Sequence, residues 1–320
     1  MKLPAIPAAL AGFVVLGTIA AEAGPDDITL LGVGGGSVVY AAGPGNVSSS
    51  FTAWYGLRGY SVAYASGTNK ALNIRRNSDN HTCDLFVATT GFLGATTGCS
   101  TSGDNGVSAD TFCVATTCFA TELYDQSGNA CHVTQATAAN QPQFLQSGGP
   151  FSGITNNSLS FNGTSHNLSG SCTQAALPTT TYAWANPSSS SATLVMLSTS
   201  TANNGIRFSD ASGFLNITYG AVGDFAFSSL AMSTSTWYLA ATQAVIVGNN
   251  PVGILQQAGG SQTTQTHASI PGSYNSPSPN TFEFGHSTFA SQFWSGSIEE
   301  LGIASVLLSA ANMTSIYNQH

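Results

Sequence analysis

An antiparallel β-sandwich or jelly roll is predicted for this chain on three observations. Short apolar or alternating runs recur about every ten residues, Gly, Asn, Ser and Pro separate them, and helix periodicity is nearly absent. In chain order the expected strands include Ala71–Ile74, Phe119–Tyr124, Leu159–Phe161, Thr193–Leu197, Phe214–Tyr219, Trp237–Val247 and Thr281–Phe284. Each alternates apolar with polar residues or is rich in β-branched and aromatic ones, as a half-buried pleated strand requires. Two segments read as helical. Thr52–Ala65 places Trp54, Leu57 and Val62 near one helical face, and Ser309–Tyr317 opens on a Ser N-cap. Residues 257–280, rich in Gln, Ser, Thr, Gly and Pro, read as a long exposed loop. No internal repeat is visible.

Composition narrows the function. Of 320 residues only 6 are Lys or Arg and 14 are Asp or Glu, so the formal net charge is −8. Six cations cannot neutralise a run of phosphates, which excludes nucleic acid as a partner and an electrostatic hold on anionic membrane. The chain is nonetheless 42% hydrophobic and 10% aromatic, enough for a large core. Ser, Thr, Asn and Gln supply the polar surface. With so few lysines to guard strand edges, an oligomer or an assembled surface layer is an expected way of covering them.

The amino terminus reads as a secretory signal. Lys2 is followed by an uncharged apolar stretch from Ala8 to Ala20 and by the small-x-small triplet Ala21-Glu22-Ala23. The expected division is residues 1–23 as signal peptide, 24–50 as an N-terminal extension and 51–320 as a single sandwich domain. An uncleaved membrane anchor is the competing reading. The six cysteines number an even count on an exported chain and read as disulfides. Cys113 and Cys118 are spaced to close a small ring. Cys83, Cys99, Cys131 and Cys172 allow three pairings, of which Cys83 with Cys99 and Cys131 with Cys172 is the expected one. Without a CxxC pair, and with His81 and His132 scattered, no zinc site is expected, and neither is any other metal or cofactor. The Asn-x-Ser/Thr sequons at Asn46, Asn80, Asn156, Asn162, Asn167, Asn216 and Asn312 arise by chance in so Ser-, Thr- and Asn-rich a chain.

Asp110 to Pro142, DTFCVATTCFATELYDQSGNACHVTQATAANQP, is the most informative stretch. With ALNIRRNSDN (Ala71–Asn80) upstream, it resembles the catalytic domain of the α-L-arabinofuranosidase B type, family 54 of the glycoside hydrolases. The similarity runs over residues 52–170 and fades beyond. It implies a concanavalin-like sandwich, with the one or two short helices read above, and a carbohydrate ligand, in the enzymes a terminal arabinofuranoside. Independently, SLSFNGTSHNLSG (Ser158–Gly170) and FWSGSIEELGIAS (Phe293–Ser305) resemble laminin-G-like and other lectin-type sandwiches. Asp125 to Asn129 follows a strand and suits an Asx-type turn with positive φ at Gly128, so this motif reads as a structural corner. Arg75 and Arg76 face opposite sides of one strand, with Asp79 or Asp125 as an ion-pair partner.

Retaining glycosidases work with two carboxyl groups ~5–5.5 Å apart. The family's nucleophile is a Glu in an Asp-x-Glu setting, and the nearest counterpart here, Arg207–Leu215, contains only Asp210. Its acid/base is an Asp in a Gly-Gly-Asp-Asn-Ser loop, where this chain has FEFGHSTF, with His286 and Ser287 in the expected place and Glu283 as the nearest acid. The family's adjacent cysteine pair is replaced by Val195 and Met196. The resemblance therefore leaves Asp210 and Glu283 as the candidate catalytic pair, and His286 as a candidate sugar contact. Of the four tryptophans, whose ordinary place is the core, Trp184 and Trp294 stand near loop-rich segments and are the candidate stacking platforms. The expected function is that of an exported, secreted or surface-located carbohydrate-active protein that binds, and by a retaining mechanism hydrolyses, terminal arabinofuranosyl groups of a polysaccharide. The alternative is a non-catalytic glycan-binding surface protein, an adhesin or a virion decoration or fibre component.

Overall fold

The computed structural model describes residues 42–320 except 147–156, 173–176, 190, 199–204, 212, 220–222, 246–248, 269–280 and 288–291. The expected signal peptide, residues 1–23, lies outside the described residues. All strand pairings among the described residues are antiparallel and form two layers. The front sheet runs in the order Leu93–Thr97, Thr82–Val87, Lys70–Arg76, Cys118–Leu123, Val133–Thr134, Leu168–Ser171, Thr281–Phe284, Ser191–Ser198, Gly205–Ala211, Phe214–Tyr219, Gly223–Ala231. In the back sheet, Ser295–Ala304 pairs on one side with Phe51–Gly56 and Ser158–Asn162. On its other side follow Thr179–Pro187, Tyr238–Ala244, Val252–Gln257 and Gln262–Thr266. The short strand Gln143–Leu145 pairs with both Cys118–Leu123 and Ser158–Asn162 and so joins the layers.

Period-two alternation decides what each strand buries. Leu72, Ile74, Leu85, Leu123, Val133, Leu168, Phe282 and Phe284 of the front sheet meet Ala53, Tyr55, Ala183, Ala185, Ala240, Leu301 and Ile303 of the back sheet in one core. The intervening back-sheet residues, Trp54, Tyr182, Trp184, Leu239, Ala241 and Ala304, form a second core. Leu308 and Met313 and Ile316 of the helix Ala310–Tyr317 cover it. Ser309 caps that helix, its Oγ accepting from Asn312 N at 3.1 Å while Asn312 Oδ1 accepts from Ser309 N at 3.1 Å.

The other segment expected as a helix is corrected. Phe51–Gly56 is a strand, and turns and bends occupy most of the remainder of 52–65. Trp54 and Tyr55 serve opposite cores, a division only an extended chain provides. The expected long loop also contains a strand, Gln262–Thr266, hairpinned onto Val252–Gln257. Two further helices, Pro44–Val47 and Ala109–Phe112, have four residues each. The sulfurs of Cys83 and Cys99, of Cys113 and Cys118, and of Cys131 and Cys172 are bonded.

The segment Asp125–Asn129 is a structural clasp. Asp125 Oδ1 accepts from Trp54 N (3.0 Å) and Ser127 N (2.9 Å), and Oδ2 from Cys131 N (3.1 Å). Gln126 accepts from Tyr60 N and donates to the carbonyls of Gly56 and Arg58. Gly128 turns the chain at φ 96°. Arg76 pairs with Asp79 at 2.8 Å and with Asp104 at 3.2 Å.

Beneath the C-terminal segment lies a buried ionic network. Glu300 Oε2 is 2.7 Å from Arg58 Nε and 3.0 Å from His320 Nε2, and Glu300 Oε1 accepts from the Tyr182 hydroxyl. Burial opposes the Glu300 carboxylate, but Arg58 and His320 outweigh it and hold its pKa at about 2. Burial and Arg58 depress His320 to about 4 against the pull of Glu300. Glu299, buried and repelled by Glu300, is pushed up to about 8. Linkage gives the stability profile. Glu299, raised above its unfolded value of ~4.5, contributes stability at low pH that is lost as pH rises through 8. His320 and Glu300, both depressed, contribute stability above ~6.5 and ~4.5 that is lost as pH falls through 4 and 2. Chemical denaturation across pH is expected to show a stability plateau at about pH 5–6.5, falling on both sides. A monotonic rise from pH 4 to 9 would contradict this assignment.

Candidate functional site

The residues that alternate outward on the front sheet fall into one cross-strand row. Starting from the first edge, Thr97 pairs with Asp84, Asp84 with Asn73, Asn73 with Glu122, and Glu122 with Thr134. Thr134 pairs with Ser169 and Ser169 with Glu283. The register continues through Met196, Arg207, Thr218 and Asp224. Residues directly opposite one another share a face, so the row is continuous across eleven strands, about 48 Å at ~4.8 Å per strand. Ten of its eleven members are polar.

One end of the row is built rigidly. Asp84, buried, meets Lys70 Nζ at 2.6 Å and accepts from Asn73 Nδ2 at 2.8 Å and from the Tyr124 hydroxyl at 2.7 Å. Gly98, at φ 56°, makes room, because a Cβ there would lie 2.9 Å from Asp84 Oδ2. Half-buried Glu122 approaches the same phenol, and burial and Asp84 raise its pKa against the opposing pull of His132, Tyr124 and Lys70. Lys70 also lies over the Tyr124 ring, 5.2 Å from its centroid. In mid-row Thr134 and Ser169 are exposed, and Glu283 is half-buried.

Beyond Glu283 the chain leaves the strand at Gly285, φ 69°, and His286 stacks on Phe293 with ring centroids 4.3 Å apart. Burial lowers the His286 pKa, and Glu283 opposes that shift, so the two side chains sense one another. No group of three His, Cys, Asp or Glu among the described residues could hold a metal ion. No helix among them is long and apolar enough to cross a membrane.

Residues 39–190 match the family model "Alpha-L-arabinofuranosidase B, catalytic". Over these residues, just under half of the chain, the sequence is of the α-L-arabinofuranosidase B catalytic type. Alpha-L-arabinofuranosidase B of Penicillium canescens is 36% identical over 110 residues, 33% of this chain and 21% of that protein. The Aspergillus kawachii protein of the same name is 36% identical over 73 residues, 23% of this chain and 13% of its own. The aligned segments thus span about a fifth or less of the length of these curated relatives. Among solved structures, an arabinofuranosidase complexed with arabinofuranosyl-alpha-1,2-xylobiose superimposes with a TM-score of 0.65 at 18% identity. That match covers 87% of this chain and 64% of the other. A GH54 α-L-arabinofuranosidase soaked with a cyclic sulfate inhibitor matches equally well and likewise establishes the shared sandwich fold.

Within the arabinofuranosidase B-type fold, the expected site residues do not all converge. Glu283 stands on the outer row opposite Met196, whereas Asp210 pairs with Ala192, three residues beyond the row on its own strand. Three residue rises and two interstrand spacings separate the two backbones by about 14 Å. The register does not assemble them as the ~5–5.5 Å pair of a retaining enzyme. Trp184 and Trp294 are not platforms, since both are fully buried. Trp184 alternates onto the helix-covered face of the back sheet, against Tyr317 and His320, and Trp294 lies in the core between the sheets. Reading the sequence missed Asn73, Asp84, Glu122 and Tyr124 as a unit. The available signal was a polar residue flanked by apolar ones in several strands, as in Leu72-Asn73-Ile74, Cys83-Asp84-Leu85 and Phe282-Glu283-Phe284.

Proposed function

We propose that this is an exported carbohydrate-active domain that engages arabinofuranosyl-bearing glycan on the outer face of the front sheet and acts on it at Glu283. The observation that carries this reading is the position of Glu283. It is an acid at the middle of a polar row, beside His286, in a fold and family whose named members are arabinofuranosidases. Glu283 would supply the carboxylate at the glycosidic bond, and the His286 ring would hydrogen-bond the sugar.

Full-length protein is expected to release 4-nitrophenol from 4-nitrophenyl α-L-arabinofuranoside. Glu283→Gln should lower kcat at least ~100-fold, the scale of losing a positioned acid or base. Turnover equal in wild type and Glu283→Gln would remove Glu283 from the chemistry. A second reading, glycan binding without hydrolysis, is favoured by the separation of Asp210 from Glu283. It predicts no turnover by wild type together with retention on an arabinofuranosyl glycan.

A further inference from the structure

We propose that Thr101, His81 and Asp104 form a second active site, a hydroxyl–imidazole–carboxylate relay that transfers short acyl groups from neutral esters to water. It goes beyond the reading of Glu283 and does not depend on it. His81 lies in the turn between Lys70–Arg76 and Thr82–Val87, and Thr101 and Asp104 in the loop that follows Leu93–Thr97. Local bonding fixes these two segments against each other. Ser100 N donates to the Thr82 carbonyl at 2.9 Å, Thr82 N donates to Ser100 Oγ at 3.0 Å, and Cys83 is bonded to Cys99.

Their neighbours His81 and Thr101 are thereby held side by side, with His81 Nε2 3.2 Å from Thr101 Oγ1. On the other side of the ring, His81 Nδ1 lies 2.8 Å from Asp104 Oδ2. One ring nitrogen reaches the hydroxyl and the other the carboxylate, the order in which a carboxylate orients a base and the base activates a nucleophile. Exposure follows the same order: Thr101 is exposed, the His81 side chain is 35% exposed and that of Asp104 17%.

The hydrogens set the direction of the relay. Arg76 Nη2, 3.0 Å from His81 Nδ1, carries two hydrogens, and two carboxylates take them, Asp79 at 2.8 Å and Asp104 at 3.2 Å. Nδ1 therefore carries its own hydrogen toward Asp104, and Nε2 is left to accept from the Thr101 hydroxyl. Asp79 Oδ1 accepts from His81 N at 3.1 Å and steadies the backbone that carries the ring.

The reaction balances with water as co-reactant. Thr101 Oγ1 bonds to the ester carbonyl carbon as its proton passes to His81 Nε2. The bond from that carbon to the alcohol oxygen then breaks, and the proton goes to the departing oxygen. Water, deprotonated by the same nitrogen, cleaves the acyl-threonine, frees the acid and restores the hydroxyl. Asp79 and Asp104 outnumber the one guanidinium, Arg76, beside the hydroxyl, which favours a neutral ester over an anionic one. A Cβ on Gly103 would meet nothing within 4 Å, so the approach is open.

The test incubates the full chain with 4-nitrophenyl acetate, follows 4-nitrophenol release, and locates acetyl groups by peptide mass spectrometry after acid quenching. Wild type should release 4-nitrophenol and carry acetyl on Thr101. Thr101→Val and His81→Gln, checked for fold by circular dichroism, should each slow release at least ~10-fold, the lower end of what a positioned base supplies. Thr101→Ser, which keeps a hydroxyl, should retain release. Asp104→Asn should slow it, and Asp104→Glu, which restores a carboxylate, should recover it. Release as fast in Thr101→Val as in wild type would mean that the imidazole acts alone, and would overturn the proposal. So would acetylation of Thr101 at an unchanged rate in His81→Gln, or no release by wild type. Turnover of the aryl arabinofuranoside reports separately on Glu283, so failure of one reading is distinguished from failure of the other.

Discussion

Glu300→Ala should destabilise the protein by about 3–5 kcal/mol, the cost of breaking a buried ion pair from one side. The Arg58 guanidinium, with a side chain 5% exposed, would lose its 2.7 Å partner inside the second core. Tyr182 and the Trp54 indole would lose the acceptor they share, and His320 its 3.0 Å contact. Water cannot readily replace the lost carboxylate beneath the C-terminal helix. Removing both charges should cost far less, because paired burial already carries a large desolvation penalty. Urea midpoints of Glu300→Ala, Arg58→Met and the double variant Arg58→Met/Glu300→Leu measure this directly. A double variant no more stable than the single ones would show that the pair is not what holds this corner.

Loss of the Cys131–Cys172 bond should be the other large effect. The two residues are 41 apart in sequence, and loop-closure entropy for that span gives about 4 kcal/mol. The same relation gives about 2 kcal/mol for Cys113–Cys118, 5 apart. The longer bond also adjoins the Asp125 clasp, since Cys131 N donates to Asp125 and the Cys131 carbonyl accepts from the Tyr55 hydroxyl. Denaturation of Cys131→Ala/Cys172→Ala and Cys113→Ala/Cys118→Ala should rank them in that order. The reverse ranking would mean that chain entropy is not the controlling quantity here.

Much of the fold was legible because strands announce themselves locally. Lys70–Arg76, Cys118–Leu123 and Thr281–Phe284 alternate, and the Ser309 cap marks its helix. The segment around Trp54 misled because Trp54, Leu57 and Val62 also fit a helical face. What made it a strand was a second core on the far side of its sheet, which its own residues cannot signal. The same cause put Trp184 inside, and the core between the sheets took Trp294, where nearness to loops in sequence had suggested exposure.

The candidate site was less legible. Glu283 and His286 could be chosen as residue types near a family motif, but the distance from Asp210 depends on three strands' register. Asn73, Asp84, Glu122, Thr134, Ser169 and Glu283 are spread over some two hundred positions and meet only through pairing.

By itself the sequence determined the β class, the strands and the corner at Asp125, because alternation, turn residues and capping act over a few neighbours. Tertiary structure alone decided which tryptophans are covered, which carboxylate lies beside Arg58, and which acids share a row. Those outcomes depend on register and layer order, which are set by contacts between residues far apart in the chain.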